Sequence, residues 1–502
     1  MAASDSPVLL YAFVLLAAVA YLSAWLKQSK RCNVPTLGPS APLLSYWGAF
    51  RYITSPRKVL EEGQVKFGGR PFRVASMLRW QYIVSSPELI EELRRAPDSQ
   101  LDPLAAADDI LHFVEALGTT FASNTYHVPI VRTTLTKNIG GLLPSVLDEM
   151  RIAFADFVPA GRRDWQAVSA YNAITRIVTQ TSSRIFVGAP LCRNPELIRL
   201  TMSYTPSVMK TGILMKLSPG FMKPIVKQMF GAIEPLIDST HQLLLPTIEE
   251  RQRMMAQHGA DWLDKPNDML QWLMDAAEGE ERTSRGLTAR LLAVYFAATD
   301  TAAICLIYAL YRLAAHPEYA ELLREEVESA IAEDGWTREA FRKMPRVDSF
   351  LKETMRLQGP SSLLLQRKAM KDFTFSDGTF IPKGSHVATS PAATHLHIAY
   401  YADPLTFDPW RFVGADDAAA SEGTSRFATT SPEYLLFGYG RHACAGRFFA
   451  EIQLEMMMAH IVTTYDVRLE TPGVLPRPVE FGSVSLPNMS AKVLFKERVG
   501  KE

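Results

Sequence analysis

The stretch of this chain best equipped for chemistry is Phe437-Gly-Tyr-Gly-Arg-His-Ala-Cys-Ala-Gly-Arg-Phe-Phe-Ala450. It presents one sulfur, Cys444, with Gly438 and Gly440 before it and Gly446 after it. From Arg447 to His460 apolar residues recur at helical spacing without a breaker, so the sulfur stands just ahead of a helix N-terminus. The positive end of that helix is expected to lower the thiol pKa and favour thiolate, a metal ligand. Loop N–H groups can then hydrogen-bond the sulfur and tune its donor strength. A lone cysteine is most often a small buried apolar residue. Three glycines and two basic residues within nine positions do not build a plain core.

Two further stretches place polar groups where a core would not. Leu287 to Ala315 reads as one long apolar helix, interrupted by Phe296-Ala-Ala-Thr-Asp-Thr301. A charge and hydroxyls in mid-helix are costly when buried unless something uses them. In the helix Asp348 to Leu357, Glu353 and Arg356 are three apart on one face, and Phe407-Asp-Pro-Trp-Arg-Phe412 follows farther on. Taken alone, Glu-x-x-Arg usually marks a surface ion pair of little worth.

Together these stretches resemble the cytochrome P450 superfamily of haem-thiolate monooxygenases. The family signature is Phe-x-x-Gly-x-(Arg/His)-x-Cys-x-Gly, and Phe437, Gly440, His442, Cys444 and Gly446 fill its fixed positions. The resemblance implies that Cys444 is the axial thiolate on the iron of haem b, pushing electron density that favours O–O cleavage. Phe437, Gly438 and Gly446 shape the cradle, and His442 holds a propionate. Thr301 stands where the family has the threonine that hydrogen-bonds bound dioxygen, and Asp300 where it has the acid that relays protons. Ala298 departs from the glycine commoner there. Glu353, Arg356 and Arg411 correspond to a buried structural triad, one carboxylate shared by two guanidinium forks.

In the helix starting at Thr125-Tyr-His-Val-Pro-Ile-Val-Arg132, the family usually places a Trp and an Arg four apart on a propionate. Arg132 matches, the Trp position is Val128, and His127 is the neighbouring candidate. Arg367 is a further propionate candidate, in a strand where Leu363, Leu364 and Leu365 line the pocket. The implied fold is mainly α with small β-sheets, preceded by one N-terminal transmembrane helix. The extended loop Gly-Arg-His-Ala-Cys-x-Gly-Arg-Phe-Phe-Ala resembles the fungal branch used in secondary metabolism, where terpenoids are frequent substrates. No dinucleotide or flavin motif is present, so electrons are expected from a membrane-bound NADPH–cytochrome P450 reductase. Arg441 and Arg447 are candidates for its acidic surface. A haem-thiolate isomerase or dehydratase, and a non-catalytic haem-binding scaffold, are the alternatives. The first needs no proton relay and the second needs neither relay nor sulfur.

The rest of the chain must position these groups. The 502 residues carry no net charge, which gives no bulk attraction to nucleic acid. Cys32, Cys192, Cys305 and Cys444 are scattered, which argues against a zinc site or disulfide framework. Val8 to Leu26 is nineteen residues without a charge, roughly 28 Å as a helix, enough for a bilayer core. Lys27, Lys30 and Arg31 follow it and should stay cytoplasmic, putting the N-terminus in the lumen; the resemblance then implies a single-pass endoplasmic reticulum membrane protein with its catalytic domain in the cytoplasm. The other reading, a cleaved signal peptide, lacks a basic n-region and a clear cleavage site. Residues 1–31 are thus read as anchor and basic stop, 32–45 as a proline-containing hinge, and 46–502 as the haem-binding domain.

Phe72 to Ser76 and Trp80 to Ser85 read as a hairpin, Pro87 to Arg95 as a helix, and Phe373 to Ile381 as a hairpin about Asp377-Gly378. Leu197 to Ile233 is rich in Met, has only basic charges, and is expected to break into short helices at Pro206, Pro219 and Pro224. It reads as a pocket lid that dips into lipid. Glu278 to Arg285 reads as a charged surface break. Asp416 to Thr430, small and polar, reads as a flexible insertion. His395 and His397 are assigned no role.

Overall fold

The computed structural model describes residues 33–41, 43–77, 79–111, 124–161, 164–218, 223, 233–259, 261–414 and 426–498. The apolar run Val8 to Leu26 lies outside them, as do Pro219, Pro224 and residues 415–425. The chain forms two compact units, one of Met1–Ala106, Ser361–Ala402 and Glu480–Val484, the other of Ala107–Pro360, Asp403–Val479 and Ser485–Glu502.

The first unit is built on a six-stranded sheet. Its order is Thr36–Leu37, Phe72–Ala75, Trp80–Ile83, His386–Thr389, Leu364–Ala369, Leu101–Asp102. The expected hairpin pairs Phe72 with Ile83 and Ala75 with Trp80, antiparallel. Helix Pro87–Arg95 starts where the sequence signals it. Ser86 caps the Leu89 N–H, Pro87 sits in the first turn, and Leu89, Ile90 and Leu93 are buried. In helix Pro56–Phe67, Gly63 lets the chain pass the Phe72 ring; a Cβ there would lie 2.3 Å from it. Strand Leu364–Ala369 carries a bulge, and Leu365 within it has φ +50°.

The second unit is helical around the long helix Ser284–Ala315, here called the central helix. Thr283 caps it by accepting from the Gly286 N–H. Among the described residues only this helix is long and apolar enough to cross a membrane, and 72% of its most apolar stretch is buried. It is therefore the spine of the core, packed by helices Ala170–Phe186, Pro195–Leu217, Ile233–His258, Pro345–Leu357 and Arg447–Thr464. Tyr295 of the central helix donates to Ser183 Oγ at 2.9 Å, tying it to Ala170–Phe186. Strands Gln166–Ser169, Lys492–Glu497 and Tyr465–Leu469 form an antiparallel sheet on the C-terminal side.

Three expectations need correction. Pro206 does not break its helix, which runs unbroken over Pro195–Leu217. Proline removes the N–H that would serve the Met202 carbonyl. Tyr204 and Val208, both fully buried against Ile233, Ile237 and Leu292, hold the turn together. The break at Glu278 to Arg285 is not all surface: it contains the turn Gly279–Arg282, and Glu281 is buried against Arg290. Residues 426–430 are not a loose insertion, since Phe427 and Ala428 are buried and Arg426 is locked among three carboxylates. Small polar composition hid both anchors.

Candidate active site

The cysteine loop is shaped by its backbone. Gly438 and Gly440 have φ of +73° and +75°, the left-handed region glycine adopts at no steric cost. The Cys444 N–H donates to the Phe437 carbonyl at 2.7 Å, and the Ala443 N–H to the Gly440 carbonyl at 3.0 Å. Phe437 stacks edge-on against Phe427, ring centres 5.2 Å apart. Gly446 has no positive φ, and a Cβ there would meet Val131 Cγ1 at 3.6 Å, an ordinary contact, so neither backbone nor packing among the described residues requires glycine.

Cys444 is reachable by water but closely surrounded by protein, as a group on the wall of an internal cleft is. Burial raises its thiol pKa. The Gly446 N–H, Arg447, Arg132 and the Arg447 N–H pull the other way and do not overcome it. The expected lowering by the helix terminus is therefore outweighed by desolvation. A bound metal cation reverses the balance, because a coordinating thiol gives up its proton.

The central helix carries an exposed patch of its own. Ala297 and Thr301, one turn apart, are exposed, while the residues flanking the interruption on both sides are buried. Cys305, the next turn on, is buried and close enough to Cys444 to feel its charge; burial first and then Cys444 push its pKa up to about 12. Exposed Cys444 thus neighbours the central helix at Cys305, one turn along from the exposed Thr301. That pairing fits a flat apolar group bound through iron.

Thr301 Oγ1 donates to the Ala297 carbonyl at 2.8 Å. Asp300, adjacent in sequence, faces elsewhere, about 100° round the helix. It is largely buried beside the Thr205 hydroxyl and near Tyr171, its pKa raised by burial, and its Oδ2 accepts no hydrogen bond. The acid therefore stands one helix face away from the hydroxyl.

The loop also gathers cations. Arg132 Nη2 donates to the Arg441 carbonyl at 3.3 Å, Arg441 Nε to His442 Nε2 at 2.9 Å, and Arg447 Nη1 to the Cys444 carbonyl at 3.1 Å. Arg132 and His442 are thereby brought together beside Cys444. The helix carrying Arg132 is irregular: His127–Pro129 is one turn, Ile130–Leu135 is π-helical, and Thr136–Phe157 is regular. His127 Nδ1 meets Arg290 Nη1 at 3.2 Å. Burial first, and Arg290 second, hold the His127 pKa down at about 4. Arg367 belongs to the other compact unit, buried in strand Leu364–Ala369, where its Nη1 donates to the Gln366 carbonyl.

Glu353, Arg356 and Arg411 meet. Arg356 forks onto Glu353 at 2.6 and 2.8 Å, and Arg411 Nε reaches Glu353 Oε1 at 3.1 Å. The Asp408 N–H adds a fourth bond at 3.1 Å. Arg356 also donates to the Pro404 carbonyl at 2.7 Å, so the cluster clamps residues 404–411 onto helix Pro345–Leu357.

A second buried charge cluster escaped sequence reading. Arg426 reaches Glu455 Oε1 at 2.5 Å, Asp348 Oδ1 at 3.3 Å and Glu451 Oε1 at 3.5 Å. Asp348 accepts from the Phe427 N–H, and Glu451 from the Ala428 N–H. Burial raises all three carboxyl pKa values, that of Glu455 most. The cluster fixes Phe427, which in turn supports Phe437 at the start of the cysteine loop.

Known proteins match this architecture across the chain. The family model described as Cytochrome P450 matches residues 35–495. Cytochrome P450 monooxygenase 151 of Postia placenta is 39% identical over 97% of this chain and 98% of its own. Cytochrome P450 monooxygenase CYP512U6 of Ganoderma lucidum is 34% identical over 93% of this chain and 92% of its own. The solved structure of retinoic acid-bound cyanobacterial CYP120A1 superposes with a TM-score of 0.69 at 20% identity, covering 93% of this chain and all of that one, which shows the fold. With the cysteine loop, the central helix and a family match spanning nearly its whole length, this chain belongs to the cytochrome P450 family of haem-thiolate monooxygenases.

Proposed function

We propose that this monooxygenase oxidises a hydrophobic small molecule of the terpenoid or related fungal secondary-metabolite class, drawing electrons from an NADPH–cytochrome P450 reductase. The overall reaction is R–H + O2 + two electrons + two protons giving R–OH + water. Bound haem, held by the Cys444 thiolate, supplies the activation of dioxygen. The observation carrying the reading is an exposed Cys444 close to Cys305, one turn along the central helix from the exposed Thr301. Thr301 offers a hydroxyl at that surface. Asp300, its pKa raised by burial, is assigned the proton relay, reaching the Thr301 side after turning from Thr205 or through water. Arg132, His127, His442 and Arg367 are assigned to the haem carboxylates, and Phe437, Gly438 and Gly446 to the cradle of the ring. Arg441, exposed on the cysteine side, and Arg447 are assigned to the reductase. The acid and hydroxyl weigh against an isomerase or dehydratase, and against a scaffold.

The fungal relatives and the extended cysteine loop support the secondary-metabolite class. Exposed Leu43, Leu44, Tyr46, Trp47 and Phe50, shortly after the apolar run Val8 to Leu26, support seating on the endoplasmic reticulum membrane. A chain lacking its first 31 residues should still bind liposomes through that patch; complete loss of binding would remove it from the membrane face. The substrate test is expression with a reductase, feeding of terpenoid and polyketide extracts, and mass spectrometry. A terpenoid gaining 16 mass units supports the assignment. No oxidised product from either extract, with haem bound and the reductase active, overturns it.

A further inference from the structure

We infer that an open groove of the second unit binds an amphipathic monocarboxylate, a small apolar molecule whose anionic head is held by Arg176. The groove has a volume of about 640 Å³, within the roughly 300–1,000 Å³ of small-molecule sites. Its walls are the end of helix Thr136–Phe157, helix Ala170–Phe186 and the first turns of helix Pro195–Leu217. Among the described residues lining it, none belongs to the cysteine loop or the central helix, so it is separate from the surroundings of Cys444. Phe157, Ile198, Met202 and Pro206 give it an apolar surface.

The head group follows from the charges. Arg176, Arg193, Arg199 and Asp156 also line the groove. Two of the arginines are already engaged. Arg193 Nε bonds the fully buried Glu149 at 2.9 Å, and its Nη2 lies 3.6 Å from Asp148. Arg199 forks onto Glu196 at 2.6 and 2.8 Å. Arg176 makes no ion pair among the described residues; its guanidinium lies over the Phe157 ring, 5.6 Å from the centre. Contact through the ring face leaves the N–H donors at the guanidinium edge open. Arg176 therefore presents a planar fork at the border of an apolar surface, which matches a carboxylate. Asp156 shares the groove and likewise makes no ion pair among the described residues. A dianion such as a phosphate monoester meets repulsion there that a single negative charge largely escapes.

The test uses the full-length holoprotein in phosphatidylcholine nanodiscs, with an azole on the haem iron to fill the catalytic cleft. The probe is pyrene-1-butyrate, followed by its emission, and pyrene-1-butyramide is the neutral control. The parent should bind the acid about ten-fold more tightly than the amide. Arg176→Gln should weaken the acid about ten-fold, through loss of one charged hydrogen-bonded pair, and leave the amide within about two-fold. Arg176→Lys, which keeps the charge, should stay within about three-fold of the parent. Asp156→Asn should tighten the acid about two-fold by removing a like charge. Met202→Gln should weaken acid and amide alike, about three-fold, through lost apolar contact. Unchanged melting of Arg176→Gln shows that the loss is not one of folding. No saturable binding to the parent, equal affinity for acid and amide, or unchanged acid affinity in Arg176→Gln would overturn the inference. Binding of the acid that the azole abolishes would place the probe in the catalytic cleft and overturn it too. Arg176→Gln losing affinity for phosphatidylserine vesicles while keeping the probe would make Arg176 a membrane contact instead.

Discussion

Replacing Glu353 by alanine should be among the most damaging single changes in this molecule. Glu353 has no exposed surface, and it accepts two bonds from Arg356, one from Arg411 and one from the Asp408 N–H. Its loss leaves the Arg356 guanidinium, itself fully buried, without an anion. Removing one partner of a buried pair costs about 3–5 kcal/mol, against a total stability of about 5–15 kcal/mol. At about 2.1 cal/mol/K of unfolding entropy per residue, a fold of this size has roughly 1 kcal/mol/K, so Tm should fall by about 3–5 °C. Arg411→Ala should cost less, about 1–2 kcal/mol, because it gives Glu353 one bond at 3.1 Å and is partly exposed. The assay is near-UV circular dichroism against temperature, with haem content measured beside it. Glu353→Ala melting within about 1 °C of the parent, or less harmful than Arg411→Ala, would refute the idea that this carboxylate is the hub of the clamp.

Thr301→Ala should retain haem and fold, yet lower product formed per NADPH consumed by about ten-fold, measured as peroxide released against product. Equal coupling would remove Thr301 from proton delivery. Glu326 has its pKa raised to about 7, chiefly by burial, while the Arg346 and Val347 N–H groups oppose this. The folded state therefore holds a proton that the unfolded chain loses above its ordinary pKa of 4.5. Its stabilising contribution is complete below that value and fades as pH rises to about 7, by up to about 3 kcal/mol. Glu326→Gln should flatten that part of the Tm–pH curve, and an unchanged slope would contradict it. Gly63→Ala should destabilise the first unit by about 1–3 kcal/mol through the Phe72 ring, read by urea denaturation.

Residues whose chemistry dictates their type were legible in the sequence. Cys444 with its glycines stood out by kind and spacing, and the Glu353, Arg356 and Arg411 set through the family resemblance, since Glu-x-x-Arg spacing alone reads as a surface ion pair. Helix Pro87–Arg95 was found from the proline that starts it, and the structure adds the Ser86 cap and the buried apolar stripe. Partners brought together by folding were not. Glu281 and Arg290 lie nine apart across a helix start and look like part of a surface charge run until burial is known. Arg426 sits beside a small polar stretch, and its carboxylates come from two other helices. The π turn Ile130–Leu135 is a backbone feature that side-chain periodicity does not report. The sulfur of Cys444 shows the same limit in electrostatics: its helix terminus was visible, its desolvation was not. Asp300 and Thr301 were read as neighbours, which they are along the chain but not in the direction they face.

The most direct measurement of the central claim is the carbon monoxide difference spectrum of the reduced protein, taken on the parent chain and on Cys444→Ala. The parent should show the red-shifted Soret band of thiolate-ligated iron, and the variant should lose it along with all oxygenation. A Cys444→Ala protein with the parent spectrum and any retained oxygenation would contradict the account.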